Sequence, residues 1–301
     1  MAQRASVAIT NSEHRIGLGD WMSRVADLVG KVGHGWDPDD VHDLRTAIRR
    51  CRAMADALSE VNPDAGWRKL KKSTRKLFRA LGELRDSHVK LETLKELFAA
   101  SDPVRKLVAR TIQGKMALQQ KDSERALKDF TVKDWRKLSK KLSGKAQFFP
   151  LESVVFQRLA LSQLNQAVAL YEFARKRRSR VAWHRLRIGL KQFRYTLENF
   201  APARGSAWLG DLKRMQDHLG EIHDLDVLRR EVLRHKAKLT PAQVEHALDS
   251  MQIRRKKILD EFLSRVQGSP SIWQTWRAGF RSVPTLQLAP EPSPLLAHSA
   301  S

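Results

Sequence analysis

Apolar residues recur every three or four positions over most of the chain, and no stretch alternates between apolar and polar residues as a β-strand does. This spacing is typical of the buried face of an α-helix. Two such faces are Val41, Leu44, Ile48, Cys51, Ala55 and Leu58, and Trp183, Leu186, Leu190, Phe193, Leu197 and Phe200. The pattern therefore predicts an all-α protein.

Start and stop signals divide the chain into long helices. Asp37-Pro38 and Asp102-Pro103 each offer an N-cap followed by proline at the first helical position, and residues 240–243 have the form of a capping box. Breaks are expected near residues 33–35, 63, 103, 144–150, 202–205, 241 and 268–270. Short connections favour antiparallel neighbours, so each half of the chain is expected to form a helical bundle.

A row of basic residues beside each of those apolar faces is also repeated. The rows are His42, Arg45, Arg49 and Arg52, and His184, Arg187, Lys191 and Arg194. At about 100° per residue, each row falls within an arc of about 80° on one helix. Positions outside the rows change sign, since Asp43 corresponds to Arg185. Because the rows keep their charge while their neighbours do not, we favour an anion-binding surface over a solvated one.

A second block occurs twice, in residues 81–89 and 219–227, and both copies begin with Leu-Gly-Glu. The glycine permits a helix end or a close helix approach, and Asp86 and Asp224 are candidate caps for the next helical segment. Two repeated blocks in the same order indicate a duplication, with bundles at about residues 10–145 and 150–281. Residues 282–301 are rich in proline and are expected to be a disordered tail.

The charge balance points to polyanionic partners. The chain has 56 Lys and Arg against 33 Asp and Glu, a formal net charge of +23. Polyphosphate, nucleic acid and anionic lipid are all admissible on charge alone. The single cysteine excludes an internal disulfide, and no run approaches the roughly 18 apolar residues of a membrane span. We therefore expect a cytoplasmic protein with no membrane partner, whose oligomeric state is open.

No catalytic or metal-binding signature is evident in the sequence. It contains neither a Gly-x-x-x-x-Gly-Lys-Ser/Thr phosphate loop nor a Gly-x-Ser-x-Gly elbow. His184, His218 and His223 have no spacing that would set a metal geometry. Cations bind phosphate, but hydrolysis also needs a positioned nucleophile or a metal. The sequence therefore favours a binding protein over an enzyme, without a cofactor or a metal.

Together, the two His-x-x-Arg-x-x-x-Arg/Lys-x-x-Arg helices and the two Leu-Gly-Glu-x-x-Asp blocks resemble the CHAD domain family, the conserved-histidine α-helical domain. The resemblance covers the chain except for its tail. It implies two antiparallel four-helix bundles related by pseudo-two-fold symmetry around a basic central cavity or pore. It also implies binding of inorganic polyphosphate and localisation to polyphosphate granules.

The resemblance implies a set of polyphosphate contacts. They are the eight members of the two rows, with the basic positions Arg75, Lys76, Lys213 and Arg214 before the Leu-Gly-Glu blocks. In the first half, Arg68, Lys72 and Arg79 extend this second group, and their counterparts are not basic. These outward-pointing residues reach a ligand only if the second bundle faces them across a cavity. His42 and His184 are expected either to donate to phosphate or to join helices.

Two other functions are kept as alternatives. A protein that binds the nucleic-acid backbone would use surface clusters such as residues 175–180 more than the two rows. Trp183 and Trp208 fall at apolar positions, which predicts core packing rather than base stacking. The second alternative is an enzyme acting on polyphosphate or on an organic triphosphate.

Overall fold

The computed structural model describes residues 17–268, 270–281 and 283, which contain eleven α-helices and no strand. The helices are α1 Leu18–Gly35, α2 Pro38–Val61, α3 Ala65–Leu97, α4 Pro103–Lys128, α5 Val132–Gln147, α6 Val154–Arg177, α7 Arg180–Phe200, α8 Pro202–Gly205, α9 Leu209–Arg234, α10 Pro241–Val266 and α11 Ile272–Ala278. The all-α prediction is confirmed.

The predicted N-caps form as their residue types require. Asp37 and Asp102 each accept two backbone N–H groups in the first turn of α2 and α4. Thr240 and Gln243 exchange side-chain and backbone hydrogen bonds at the start of α10. Two further breaks were not expected, at residues 129–131 and at Arg178, which adopts a left-handed φ of 50°. Neither contains glycine or proline, the residues on which the boundary predictions relied.

The buried apolar side chains of the described residues form two clusters. One is enclosed by α1, α2, α5 and the first half of α3, and the other by α6, α7, α9, α10 and α11. Each half of the chain also buries some of its side chains in the cluster formed mainly by the other half. The end of α3 and the start of α4 bury Leu94 and Val108 in the second cluster, while Phe156 and Phe200 stack in the first.

The two clusters meet along a pair of helix contacts that position the candidate site. α2 packs against α7, and α3 packs against α9. Both repeated blocks therefore lie on helices at this junction. The pseudo-two-fold relation between the halves stays a prediction.

Several smaller expectations concern individual positions. Cys51, Trp183 and Trp208 are buried, as their places on apolar faces predict. No helix in the described part of the chain is both long enough and apolar enough to cross a membrane. The disordered tail predicted at 282–301 lies outside the described residues, except for Val283, which is buried against the second cluster.

Candidate anion-binding site

The first three members of each basic row line one cavity. It has a volume of about 370 Å³ and lies at the contact between α2 and α7. His42, Arg45 and Arg49 approach it from α2, and His184, Arg187 and Lys191 approach it from α7. Each row flanks a fully buried stripe, so packing that stripe turns the row toward the neighbouring helix.

The other walls come from α3 and α9. Arg85, Asp86 and Lys90 line the cavity from α3, and His223 and Asp224 line it from α9. Among the described residues, this lining holds six Arg and Lys side chains against two carboxylates. The cavity is therefore strongly cationic.

Of the two readings of the Leu-Gly-Glu blocks, a helix end or a close helix approach, the helix end is wrong. Gly82 lies inside α3 and Gly220 inside α9. A Cβ placed at Gly82 would be 3.5 Å from the guanidinium carbon of Arg45, and one at Gly220 would be 3.9 Å from Nε of Arg187. Each glycine thus leaves room for an arginine of the basic row in the same half of the chain to lie against the helix.

The aspartates of the same blocks do not act as caps, because they too lie within helices. Asp86 Oδ1 lies 3.8 Å from Nη2 of Arg45. Burial raises the pKa of Asp224 to about 6, although Arg187 opposes that shift. The two carboxylates offset only part of the positive charge.

Three cations in the cavity have no partner of opposite charge. Arg49, Arg187 and Lys191 form no ion pair within 4 Å of any carboxylate in the described residues. Nε of Arg49 and Nε of Arg187 are buried and have no hydrogen-bond acceptor within the described part of the chain. A buried polar group left without a partner costs about 1–3 kcal/mol, and more when it is charged. An anion in the cavity would supply the missing acceptors.

Burial in these cationic surroundings strongly changes the pKa of Lys191. Burial, and then the neighbouring charges of Arg187, Arg49 and Arg45, lower the pKa of its ammonium group to about 7. Lys191 is therefore only partly charged at neutral pH. An anion bound beside it would raise that pKa, because it stabilises the protonated form.

Two histidines form a pair on the α7 and α9 side. Nδ1 of His184 lies 3.1 Å from Nδ1 of His223, and the two rings stack with their centroids 4.5 Å apart. Burial and Arg187 lower the pKa of both residues, that of His223 to about 4. At neutral pH both rings are uncharged, so one Nδ1–H donates to the other Nδ1. This bond ties α7 to α9 at the edge of the cavity.

His42 has no comparable partner ring among the described residues. Burial, followed by Arg85 and Arg49, lowers its pKa. His42 lines both the central cavity and a larger neighbouring one. His184 therefore joins two helices and also lines the central cavity, whereas His42 lines cavities without such a bond. That either histidine donates to phosphate stays a prediction.

Two further cavities share lining residues with the central one. One of about 280 Å³ shares Arg49 and Lys191 and is lined by Arg52 and Phe78. One of about 970 Å³ shares Arg187 and Lys191, but carboxylates also line it: Glu92, Glu96, Asp217, Glu221 and Asp224. Asp56 and Glu60 line the smaller cavity as well. The excess of positive charge is therefore greatest in the central cavity.

Comparison with known proteins identifies the family. The model of the CHAD domain matches residues 23–234. The chain belongs to the CHAD domain family. It is similar to a solved structure, the crystal structure of the CHAD domain from the plant Ricinus communis, with 23% identity and a TM-score of 0.56 over 89% of this chain and 90% of that one. Comparison with curated proteins gave no match.

The fourth position of each row in this CHAD domain makes contacts within the chain. Arg52 donates to the Lys71 carbonyl at 2.7 Å and to Thr74 Oγ1 at 3.1 Å. Arg194 donates to Glu198 at 2.6 Å and to Gln216 at 3.1 Å, and it lines none of the three cavities. Arg52 lines the smaller of the two neighbouring cavities, and Arg194 lines none of the three.

The second group of predicted contacts lies outside these cavities. Its members are all exposed: Lys72, Arg75, Lys76, Arg79, Lys213 and Arg214. Lys76 pairs with Asp129, and Arg214 pairs with Asp211. None of the six lines any of these three cavities. Their part in binding therefore stays a prediction.

Sequence reasoning missed Arg85 and His223 as part of the CHAD site. These two residues occupy the same place in the two Leu-Gly-Glu blocks, each just before the aspartate. A polar, potentially cationic residue at one position in both copies was the available signal. Lys90 has no such signal, because its counterpart is Leu228.

The described residues contain no group of three His, Cys, Asp or Glu side chains that could hold a metal ion.

Proposed function

We propose that this CHAD domain binds inorganic polyphosphate in the cavity between α2 and α7. The observation that carries the proposal is the set of unpaired cations Arg49, Arg187 and Lys191, with two buried guanidinium N–H groups that lack acceptors. The family is associated with binding of polyphosphate or triphosphate. A linear phosphate chain offers acceptor oxygens at every unit, and two neighbouring cavities share Arg49, Arg187 and Lys191 with the central one.

The residues have distinct parts in this binding. Arg45 and Arg187 lie along the helices at Gly82 and Gly220, where their planar guanidinium groups are held ready for bidentate bonds to phosphate oxygens. Lys191 acts as a point charge. Each charge-assisted contact contributes about 1.5–3 kcal/mol before the costs of desolvation and ordering. The contacts read no sequence, because every phosphate unit is alike.

The protein is proposed to bind polyphosphate without hydrolysing it. The same binding would place it at polyphosphate granules, whose surface presents the same ligand. Incubation with polyphosphate or a nucleoside triphosphate and Mg²⁺ or Mn²⁺ should release no phosphate above the blank. Release that disappears in Arg187→Gln would instead favour an enzyme.

The main test compares two polyanions. Affinity for long-chain polyphosphate and for duplex DNA should be measured by titration at equal phosphate concentration and equal ionic strength. We expect tighter binding of polyphosphate, because a narrow cavity admits a single chain and excludes a duplex. Both affinities should fall as salt rises, since bound cations release counterions. Equal affinity, or a preference for DNA, would favour the nucleic-acid alternative.

A further inference from the structure

The connection between α5 and α6 exposes four large apolar side chains within eight residues. Phe148 is 84% exposed, the largest value among the described large apolar residues, and Leu151, Val154 and Val155 are 41–50% exposed. Isolated exposed apolar residues are ordinary, but a contiguous group marks an interaction site. This group belongs to none of the cavities of the central site.

The outward face of α5 next to this group is basic. α5 buries Trp135, Leu138 and Leu142 against the first cluster, and the exposed residues opposite them include Lys133, Lys137, Lys140 and Lys141. None of these four lysines pairs with a carboxylate of the described residues. Asp134 is the exposed carboxylate on this helix.

Phe148 continues this basic face. It has right-handed helical angles, φ −69° and ψ −9°, as the residue after α5. At about 100° per residue, it lies within about 20° of the directions of Lys137 and Lys141. The lysines and Phe148 therefore share one surface, with charge along the helix and an aromatic ring at its end, and the other three apolar residues follow within seven positions of that ring.

We propose that this surface docks on an anionic lipid bilayer. Peripheral membrane sites combine an apolar side chain that enters the headgroup boundary with lysines that meet lipid phosphates, and neither is sufficient alone. A second copy of the chain is a poor occupant, because two basic helices repel each other. Single-stranded nucleic acid stacks on aromatic rings, whereas Leu151, Val154 and Val155 offer none. The contact is peripheral, and it revises the expectation from sequence that the protein has no membrane partner.

The test is co-sedimentation of the full chain with vesicles. Vesicles of phosphatidylcholine with phosphatidylglycerol should bind the protein, and vesicles of phosphatidylcholine alone should not. Phe148→Ser should weaken binding about tenfold, because the variant has no aromatic ring to transfer from water into the bilayer. Lys137→Gln with Lys141→Gln should weaken it about 25-fold, since each lysine near an anionic surface contributes about fivefold.

Matched controls come from elsewhere on the surface. Ile253→Ser removes an apolar residue that is 71% exposed on α10, and Arg177→Gln with Arg178→Gln removes two exposed charges. Both variants should bind vesicles like the unmodified chain. If the controls lose as much binding as the α5 variants, or if the α5 variants bind normally, the proposal is overturned.

A second measurement separates this surface from the central cavity. Phe148→Cys can be labelled with an environment-sensitive dye, because Cys51 is the only natural cysteine and is fully buried. Its emission should shift to the blue with anionic vesicles, in the presence or absence of saturating polyphosphate, whereas a dye at Ile253→Cys should not respond. Loss of the shift with polyphosphate would assign lipid binding to the cavity. The same shift with single-stranded RNA, and loss of RNA binding in Phe148→Ser, would assign the surface to nucleic acid.

Discussion

The basic rows of α2 and α7 share one sequence pattern but differ in their chemistry. The third position is Arg49 in α2 and Lys191 in α7. A guanidinium remains charged at any physiological pH, whereas the Lys191 ammonium has its pKa lowered to about 7. At this position the α2 row therefore presents fixed charge, whereas the α7 row presents charge that depends on protons.

The neighbours of the two rows extend this difference. His184 is stacked on His223, and Asp224 has its pKa raised to about 6, so the α7 side gathers groups that titrate. On the α2 side, the carboxylate of Asp86 is 65% exposed beside Arg45. The comparison suggests that Arg49 contributes to basal affinity whereas Lys191 links affinity to pH.

The largest effect should come from reversing one charge in each row. Arg45→Glu with Arg187→Glu removes two charge-assisted contacts of about 1.5–3 kcal/mol each and adds repulsion, so polyphosphate should bind at least about 1000-fold more weakly. Titration calorimetry measures the loss, and circular dichroism checks that the helices persist. Arg177→Glu with Arg178→Glu, on exposed residues at the end of α6, should change affinity by less than about tenfold. The reverse result would assign binding to the surface cluster.

Exchanging Arg and Lys between the rows should separate fixed from titrating charge. Phosphate raises the pKa of Lys191 above 7, so binding takes up a proton above that pH. Kd should then rise with pH between about 7 and 9, by at most about tenfold per pH unit for one proton. Lys191→Arg should flatten this dependence, while Arg49→Lys should not.

The other titrating groups act in the same direction at lower pH. A bound polyanion favours the protonated forms of Asp224, His42 and His184, so affinity should also rise as the pH falls from about 7.5 toward 6. Binding that is independent of pH in the unmodified chain would remove the distinction between the rows.

Local patterns predicted the helices and the direction of each row, because both follow from residues three or four positions apart. The caps at Asp37, Asp102 and Thr240 are equally local. The pairing of α2 with α7 is not local, and the repeat suggested it only through the family resemblance. The break at 129–131 was missed because it lacks glycine and proline.

Gly82 and Gly220 show why the remainder of the site was misread. Glycine near a predicted boundary usually indicates a helix end. Here each glycine leaves space for an arginine from another helix, a role that appears only after packing. Asp86 and Asp224 were assigned as caps by the same reasoning, and they face the cavity instead.

The rows should also differ in how they affect stability without ligand. The pKa of Lys191 is lower in the folded state than its ordinary value of 10.5, so its charged form destabilises the fold. This destabilisation is complete below pH 7 and fades as the pH rises from 7 to 10.5. Lys191→Met should raise Tm at pH 6.5 by about 2–4 °C, equivalent to about 1 kcal/mol, and by less at pH 10. The change in Tm caused by Arg49→Met should not depend on pH in this way, since a guanidinium remains charged. If calorimetry gives the same pH profile of Tm change for both variants, the distinction between Arg49 and Lys191 is contradicted.

The smallest effects should come from the two glycines. Gly82→Ala and Gly220→Ala should each stabilise the protein by about 0.5–1 kcal/mol, because glycine inside a helix is less favourable than alanine. The added Cβ meets Arg45 at 3.5 Å or Arg187 at 3.9 Å, which is ordinary contact. Gly82→Leu is different, because its side chain would occupy the place of the Arg45 guanidinium and weaken polyphosphate binding about tenfold or more. Denaturant unfolding of all three variants measures stability, and calorimetry measures polyphosphate binding. If Gly82→Ala destabilises the fold, then close helix packing, rather than space for arginine, is the reason for the glycine.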